Sequence, residues 1–258
     1  MPRFAANLSM MFTEKQFPKR FAAASAAGFS AVEFLFPYEF APQTIATWLM
    51  ENQLENVLFN FPPGDWTAGE RGLAALPGRE EEFRQSVTKA LEYATALGTR
   101  RLHMMAGLVM PGEDKRECEA VYLSNLKFAA RRLADYGINL MIEPINHRDM
   151  PGYFLNTQEQ AHILREKSDE TNVFVQMDFY HAQITQGDLA HTLKKYIKAI
   201  GHIQIASVPD RHEPDDGEIN FAYLFRLIDE LGYQGWIGCE YRPKGVTEEG
   251  LNWLNVWR

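Results

Sequence analysis

Residues 123–143, LSNLKFAARRLADYGINLMIE, carry the pattern that decides the fold. Leu123, Leu126, Ala130 and Leu133 recur at helical spacing, so one face of the stretch is apolar. The period stops at Gly137, a residue without Cβ that takes the positive φ of a left-handed helix cap at little cost. NLMIE follows, a short apolar run with an acid at its end. The same unit recurs along the chain. The helix around Phe17 to Ala27 ends at Gly28 before AVEF, and the helix from about Glu80 to Leu97 stops at Gly98 before RLHMM. Leu189 to Ile200 leads through Gly201 into HIQIA, and Leu224, Leu227, Ile228 and Leu231 lead through Gly232 into GWIGCE. RFAANL, ENVLFNF and VFVQMD complete eight strands.

Strict alternation of strand and helix predicts a parallel α/β sheet, and eight units over about 250 residues predict its closure into a (β/α)8 TIM barrel. An open doubly wound sheet is the runner-up, weakened because no glycine-rich phosphate loop follows the first strand. No linker, charge block or low-complexity tract divides residues 1–258, so one domain is expected.

The chain is 46% apolar, enough for one large core, and disorder is excluded. Its 26 Lys and Arg against 34 Asp and Glu leave a formal charge of −8, so nucleic acid is not an expected partner. Two cysteines, Cys118 and Cys239, make no disulfide framework, which fits a reducing cytoplasm. The opening MPRFAANLSMMF, with one Arg and an apolar stretch broken by Asn7 and Ser9, reads as neither signal peptide nor membrane span. A soluble cytoplasmic protein without membrane association is expected.

In such a barrel the chemistry gathers at the carboxyl ends of the strands. The residues that end the apolar runs are Asn7, Glu33, Asn60, His103, Glu143, Asp178, Gln204 and Glu240. A buried charge needs a partner or a metal, so a full set of polar strand ends points to a site, although any one alone fits a structural network equally well. Glu143, Asp178, Gln204 and Glu240 converge from strands five to eight as three carboxylates and an amide. Crowded carboxylates share protons or are neutralised by a cation. An all-oxygen set suits a hard divalent ion, Mg²⁺ first and Mn²⁺ second, rather than zinc. Both cysteines read as packing residues, with Cys239 turned towards the helices by strand alternation.

His181, three residues beyond Asp178, is placed to donate a hydrogen bond to substrate or to a ligand carboxylate. His103 and His147 are balanced between structure and function, while His162, His191 and His202 read as packed or solvated residues on helices or a turn. VPDRHEPDDGEIN, after the seventh strand, offers Arg211 and His212, with Asn220 as an N-cap. Arg211 is the first candidate to hold an anionic substrate, with a surface salt bridge as the competing reading. PPGDWTAGERGLAALPGREEEF, spanning the 62–82 loop and carrying Trp66, reads as either a lid or a subunit contact. The tail with Trp253 and Trp257 reads as packing on the barrel's own helices, a homo-oligomer being the alternative.

Two carboxylates flanking a metal-held substrate form a proton-transfer device. The cation polarises a carbonyl and its neighbouring hydroxyl, acidifies the C–H between them and stabilises an enediolate. One Glu removes the proton, and the same or the opposite Glu returns it to the adjacent carbon.

NLSMMF, VEFLFPY, GDWTAGERGLAALPGREEEF, IEPINHRDMPGY, DFYHAQ, HIQIA, PDRHEPDDGEIN and GWIGCEYRPKG together resemble the hydroxypyruvate isomerase family of xylose-isomerase-like barrels, from Arg3 to Arg258. The resemblance implies an aldose–ketose type isomerase of a small hydroxy-oxo-carboxylate. The substrate pair is hydroxypyruvate and tartronate semialdehyde in one subfamily, 2-oxotetronate and 3-oxotetronate in the other. It implies Glu143 of IEPIN and Glu240 of CEYRP as the acid/base pair, and Glu143, Asp178, Gln204 and Glu240 as the metal ligands. His181, Arg211, Asn7 and His103 are the expected substrate-binding residues. Related ketose 3-epimerases usually place His where Gln204 stands, and apurinic endonucleases of this fold use several His ligands for a zinc cluster. RFAANLSMMFTE and EPDDGEINFAYLF resemble the oxotetronate members, GDWTAGERG and IEPINH the hydroxypyruvate members, so three and four carbons both stay open. The alternatives are a ketose 3-epimerase-like enzyme and a non-catalytic sugar-acid-binding barrel.

Overall fold

A computed structural model describes residues 1–257; Arg258, the last residue of the expected domain, lies outside them. The chain begins β1 (Arg3–Asn7), α1 (Phe17–Ala26), β2 (Ala31–Glu33), α2 (Pro42–Glu51), β3 (Glu55–Asn60), α3 (Glu80–Leu97), β4 (Arg101–His103) and α4 (Lys115–Ala134). It continues β5 (Asn139–Ile142), α5 (Gln158–Ser168), β6 (Val173–Asp178), α6 (Phe179–Thr185), α7 (Leu189–Tyr196), β7 (Ile200–Ile205), α8 (Phe221–Glu230) and β8 (Trp236–Cys239). The strands pair in parallel in chain order, and β8 returns to β1 with Arg3 opposite Trp236 and Phe4 opposite Ile237. The expected (β/α)8 barrel is closed.

Of the five glycines expected to end helices, Gly28, Gly98, Gly137 and Gly232 take positive φ just past a helix and one does not. Gly98 ends α3 at φ 70°, its N–H donating to the Ala94 carbonyl. Gly201 was expected in the same role, but it lies inside β7, and the preceding helix stops at Tyr196 before a 3-10 turn over Ile197–Ala199. Its lack of a side chain serves packing: a Cβ there would overlap Phe174 and Met141.

Strand alternation sorts residues into two environments. Phe4, Ala6, Val32, Ile237 and Cys239 face the helices and join the main core, while Ala5, Ala31, Met141 and Trp236 form a small apolar plug within the barrel. One or two steps of two further along those inward faces stand Asn7, Glu33, Glu143 and Glu240, all buried. The interior therefore passes from apolar at the amino ends of the strands to polar at their carboxyl ends.

The loop between β3 and α3 is strapped to the barrel. Gly72 bridges Ala106, the Ala75 N–H donates to the Ala106 carbonyl at 2.7 Å, and Asn125 Nδ2 donates to the Ala74 carbonyl at 3.0 Å. Trp253 meets Phe4 edge-on at 5.2 Å and Trp257 meets Phe225 at 5.1 Å, so the aromatic tail covers the barrel's own elements. Among the described residues no helix is long and apolar enough to cross a membrane.

His162 on α5 is buried and stacked on Tyr196, ring centroids 3.7 Å apart. Burial first, then Arg165 and Lys195, pushes its pKa down to about 3. Between that value and an ordinary one near 6.5, the unfolded chain binds a proton that the folded protein refuses. This contribution to stability is complete above the ordinary value and shrinks as pH falls, by about 1–2 kcal/mol at about pH 5. His162→Phe keeps the stacked ring without the proton, so its urea midpoint is expected to fall less than the wild type's between pH 7 and pH 5. Equal falls in the two proteins would refute this.

Candidate active site

The polar interior begins with Glu33, fully buried on β2. His202 Nε2 lies 2.7 Å from Glu33 Oε2, while Asn7 Nδ2 and Gln204 Nε2 donate to Oε1 at 3.0 and 2.8 Å. Gly238 on β8 makes the room, since a Cβ there would overlap both Glu33 oxygens. The same Asn7 amide donates to Glu240 Oε1 at 3.2 Å, and Gln176 Nε2 donates to Gln204 Oε1 at 2.5 Å. One hydrogen-bonded layer thus orients Glu240 and Gln204 together.

Towards the carboxyl ends of the strands, Glu143, Asp178, His181 and Glu240 each present one ligand atom, and these four atoms lie within 4.8 Å of one another. Asp178 caps α6, its Oδ1 accepting from the Tyr180 N–H at 2.8 Å, which leaves Oδ2 facing the others. Glu143 Oε1 and Asp178 Oδ2 are buried and have no hydrogen-bond partner among the described residues, a costly state for carboxylate oxygens. Among the described residues Arg211 is the one Lys or Arg ion-paired with the cluster. Its Nη2 is 2.9 Å from Glu240 Oε2 and 3.7 Å from Asp178 Oδ2, and its Nη1 is 3.4 Å from Asp149 Oδ2. The Arg211 backbone holds φ at 59°, in the left-handed region where a residue with a Cβ is strained.

Burial dominates the protonation equilibria here. It raises Glu143 well above the ordinary carboxylate range, with Glu240 and Asp178 adding repulsion. Glu240 is pushed up to about 8 and Asp178 to about 6, burial outweighing the opposing Arg211 charge in both. Burial also works against the Arg211 charge, but Glu240, Asp178 and Asp149 outweigh it and hold the guanidinium above its ordinary value. One guanidinium is therefore too little positive charge to keep all three carboxylates ionised at neutral pH.

Both nearby histidines are kept neutral, chiefly by burial: His103 is pushed down to about 3 and His181 well below its ordinary value. The Asn146 side-chain amide and backbone N–H point at His181 Nδ1, at 2.6 and 3.5 Å. Nε2 faces the carboxylate cluster, 3.6 Å from Asp178 Oδ2 and 3.4 Å from Arg211 Nη2. His103 Nδ1 is 3.2 Å from Asn60 Oδ1 and 3.5 Å from Glu143 Oε2. Glu143, His181, Arg211 and Glu240 open onto a cavity of about 790 Å³, which Phe36 and Trp66 also line.

Of the residues singled out in the sequence, Asn7, His103, Glu143, Asp178, His181, Gln204, Arg211 and Glu240 fall in this one region. His147 is exposed, and His212 is turned to the Arg242 carbonyl. His202 is a correction: expected on a helix or turn, it lies in β7, fully buried against Glu33. The signal was present, because His202 and Gln204 are two apart on one strand and so share its inward face. Gln176 and Asp178 share theirs in the same way. Asn146 and Asp149, which hold His181 and Arg211, sit in an irregular loop whose path no periodicity reveals.

Residues 21–257 match the family model of the xylose isomerase-like TIM barrel. The chain is 58% identical over 257 residues to a 2-oxo-tetronate isomerase of Cupriavidus necator, covering 100% of this chain and 99% of that protein. It is 45% identical over 258 residues to the hydroxypyruvate isomerase of Escherichia coli, covering 100% of both. A crystal structure of a Brucella melitensis protein, described as an AP endonuclease of family 2, superposes with a TM-score of 0.98 at 53% identity over 100% of both chains. The 3-keto-D-glucoside 4-epimerase of E. coli shares the fold at a TM-score of 0.81, with 19% identity and 99% of each chain covered.

Leaving a buried hydrogen-bonding group without its partner costs about 1–3 kcal/mol. Glu33→Ala is expected to lower stability by that amount in urea unfolding, because it strands His202, Asn7 and Gln204 at once. A loss no larger than an exposed carboxylate causes, about 0.5 kcal/mol, would show that the layer does not depend on Glu33.

Proposed function

The chain belongs to the xylose isomerase-like TIM barrel family and is an isomerase of the hydroxypyruvate and 2-oxo-tetronate isomerase kind, and from that premise we propose that it interconverts a small hydroxy-oxo-carboxylate with its aldose–ketose isomer. The observation that carries this reading is the pair Glu143 and Glu240, buried, raised in pKa by burial and meeting at one cavity. A carboxylate whose proton affinity lies near the working pH takes and returns a proton most effectively. One of the pair removes the C–H proton of the hydroxyl-bearing carbon, giving an enediolate. The same or the opposite Glu returns a proton to the former carbonyl carbon, and the hydroxyl proton passes from one substrate oxygen to the other.

The remaining residues position and stabilise. Asn7 and Arg211 fix Glu240, and His103 stands beside Glu143. His181 turns Nε2 towards the cluster, where it is placed to contact a substrate oxygen, and Arg211 Nη2 lies where negative charge grows as the C–H proton leaves. The two unpartnered buried carboxylate oxygens and the oxygen-rich donor set fit a hard divalent cation. Glu143, Asp178, Gln204 and Glu240 would hold Mg²⁺ or Mn²⁺, which when bound supplies Lewis acidity to the carbonyl and offsets the crowded negative charge.

The description of the Brucella relative raises a nucleic-acid substrate. A formal charge of −8 and a cavity whose strand ends are carboxylates disfavour a polyanion. The epimerase likeness, at 19% identity, supports the fold alone.

Glu143→Gln and Glu240→Gln are each expected to lower kcat on hydroxypyruvate or 2-oxotetronate by about 10²–10⁴-fold with the far-UV circular dichroism of the folded barrel preserved. Normal turnover of both acids by the two folded, Mg²⁺-supplemented variants would falsify the mechanism. Chelation is expected to lower the melting temperature and abolish turnover, Mg²⁺ or Mn²⁺ restoring both. Asp178→Asn is expected to shift the cation concentration needed for the thermal recovery at least about tenfold upward; an unshifted titration would remove Asp178 from the ligand set.

A further inference from the structure

A hydroxy-oxo-carboxylate brings a negative charge into a cavity where three carboxylates already meet, so a cation must receive it. Arg211, the first expected candidate, already has both terminal nitrogens engaged with Glu240, Asp178 and Asp149. Two other arginines line the cavity, Arg71 and Arg242. Arg242 is exposed, and among the described residues no side chain pairs with it. Arg71 is different. It is half-buried, its guanidinium carbon lies over the Trp66 ring at 3.8 Å, and its Nη1 donates to the carbonyls of Trp66 and Glu70 at 3.1 and 2.7 Å.

Those contacts use one nitrogen, and among the described residues Nε and Nη2 have no hydrogen-bond partner. They are the side-on edge of the fork that matches a carboxylate's two oxygens. The adjacent Glu70 is not available to neutralise it, being paired with Arg79 at 2.6 Å. The backbone is fixed as well. Gly72 N–H donates to the Pro63 carbonyl at 2.8 Å, and Gly72, at φ 112°, packs so closely on Met105 that a Cβ would overlap its carbonyl. A cation that is already ordered loses little freedom on binding.

We propose that Arg71, stacked on Trp66 and anchored beside Gly72, receives the substrate carboxylate side-on through Nε and Nη2, and so selects 2-oxo acids over uncharged hydroxy-ketones. This rests on the isomerase reading above and divides the labour of the two arginines: Arg211 serves the reacting carbons, Arg71 the carboxylate.

The test is calorimetric titration of the Mg²⁺-supplemented protein with glycerate and erythronate, unreactive acids of the two candidate lengths, and with their uncharged amides. Arg71→Ala is expected to raise the Kd of the acids about 10–100-fold and to leave the amides unaffected. Arg71→Lys, which keeps the charge without the fork, is expected to recover part of the loss. In turnover the same change raises KM on the oxo-acids more than it lowers kcat. Unchanged acid binding in folded Arg71→Ala or Arg71→Lys, an equal loss for acids and amides, or a loss confined to Arg242→Ala overturns the proposal. Arg71-dependent acid binding without turnover of either oxo-acid by the wild type leaves the carboxylate site standing and removes the isomerase reading. Wild-type turnover with a KM indifferent to Arg71 does the reverse.

Discussion

The structure is organised around the burial of Glu143, Asp178 and Glu240 at one end of a closed barrel. Three carboxylates held this close oppose one another and resist ionisation, and burial has removed the water that would screen them. Their neighbours are arranged to reduce that cost. Asp178 gives one oxygen to the start of α6, Glu240 accepts from Asn7 and Arg211, and Glu143 has His103 beside it. Even so, two carboxylate oxygens have no hydrogen-bond partner among the described residues. The arrangement retains an unmet demand for positive charge, a feature of sites that bind and transform rather than of cores that only pack.

That demand is sustained by a scaffold with little freedom. The inward residues stand on strands whose register is closed from β8 back to β1, so none can shift without disturbing its neighbours. The Glu33 layer transmits this rigidity. Asn7 and Gln204 both donate to the same Glu33 oxygen, which ties the orientation of Glu240 to that of Gln204. The size of the layer depends on Gly238, the small member of the inward series Trp236, Gly238, Glu240. Positioning to within fractions of an ångström is what proton transfer between two carbons requires, and strands supply it better than loops.

The barrel and its strand-end residues were legible because both follow from periodicity. Period 3.6 with a terminal glycine marks the helices, and period 2 with a polar end marks the inward strand positions. Glu143, Asp178, Gln204 and Glu240 were found this way, and His202 and Gln176 yield to the same rule once the strand limits are known. Gly201 misled because glycine is used both for positive φ and for missing volume, and a single sequence does not separate the two uses. Asn146, Asp149 and Arg71 were not legible. They lie in irregular segments where position is set by individual hydrogen bonds and straps, such as the Gly72–Ala106 bridge, that only tertiary structure reveals.

This difference in legibility follows the division of work in the molecule. Residues proposed to move the proton stand on strand ends, where the barrel fixes them and a shared fold preserves them. The residue proposed to receive the carboxylate stands on the β3–α3 loop, which a related barrel can replace without disturbing a strand. A related barrel can therefore keep a carboxylate cluster and change its substrate by changing that loop. The distribution of cations enforces the separation here. Arg211 is held by three carboxylates and strained into the left-handed region, so releasing it to follow a substrate's charge would leave Glu240 and Asp178 uncompensated. Arg71 has no such obligation, since its existing partners are an aromatic face and two carbonyls. On the proposed reading, substrate choice in this barrel is accordingly a property of the loop that carries Arg71 and Trp66, separable from the chemistry at the strand ends.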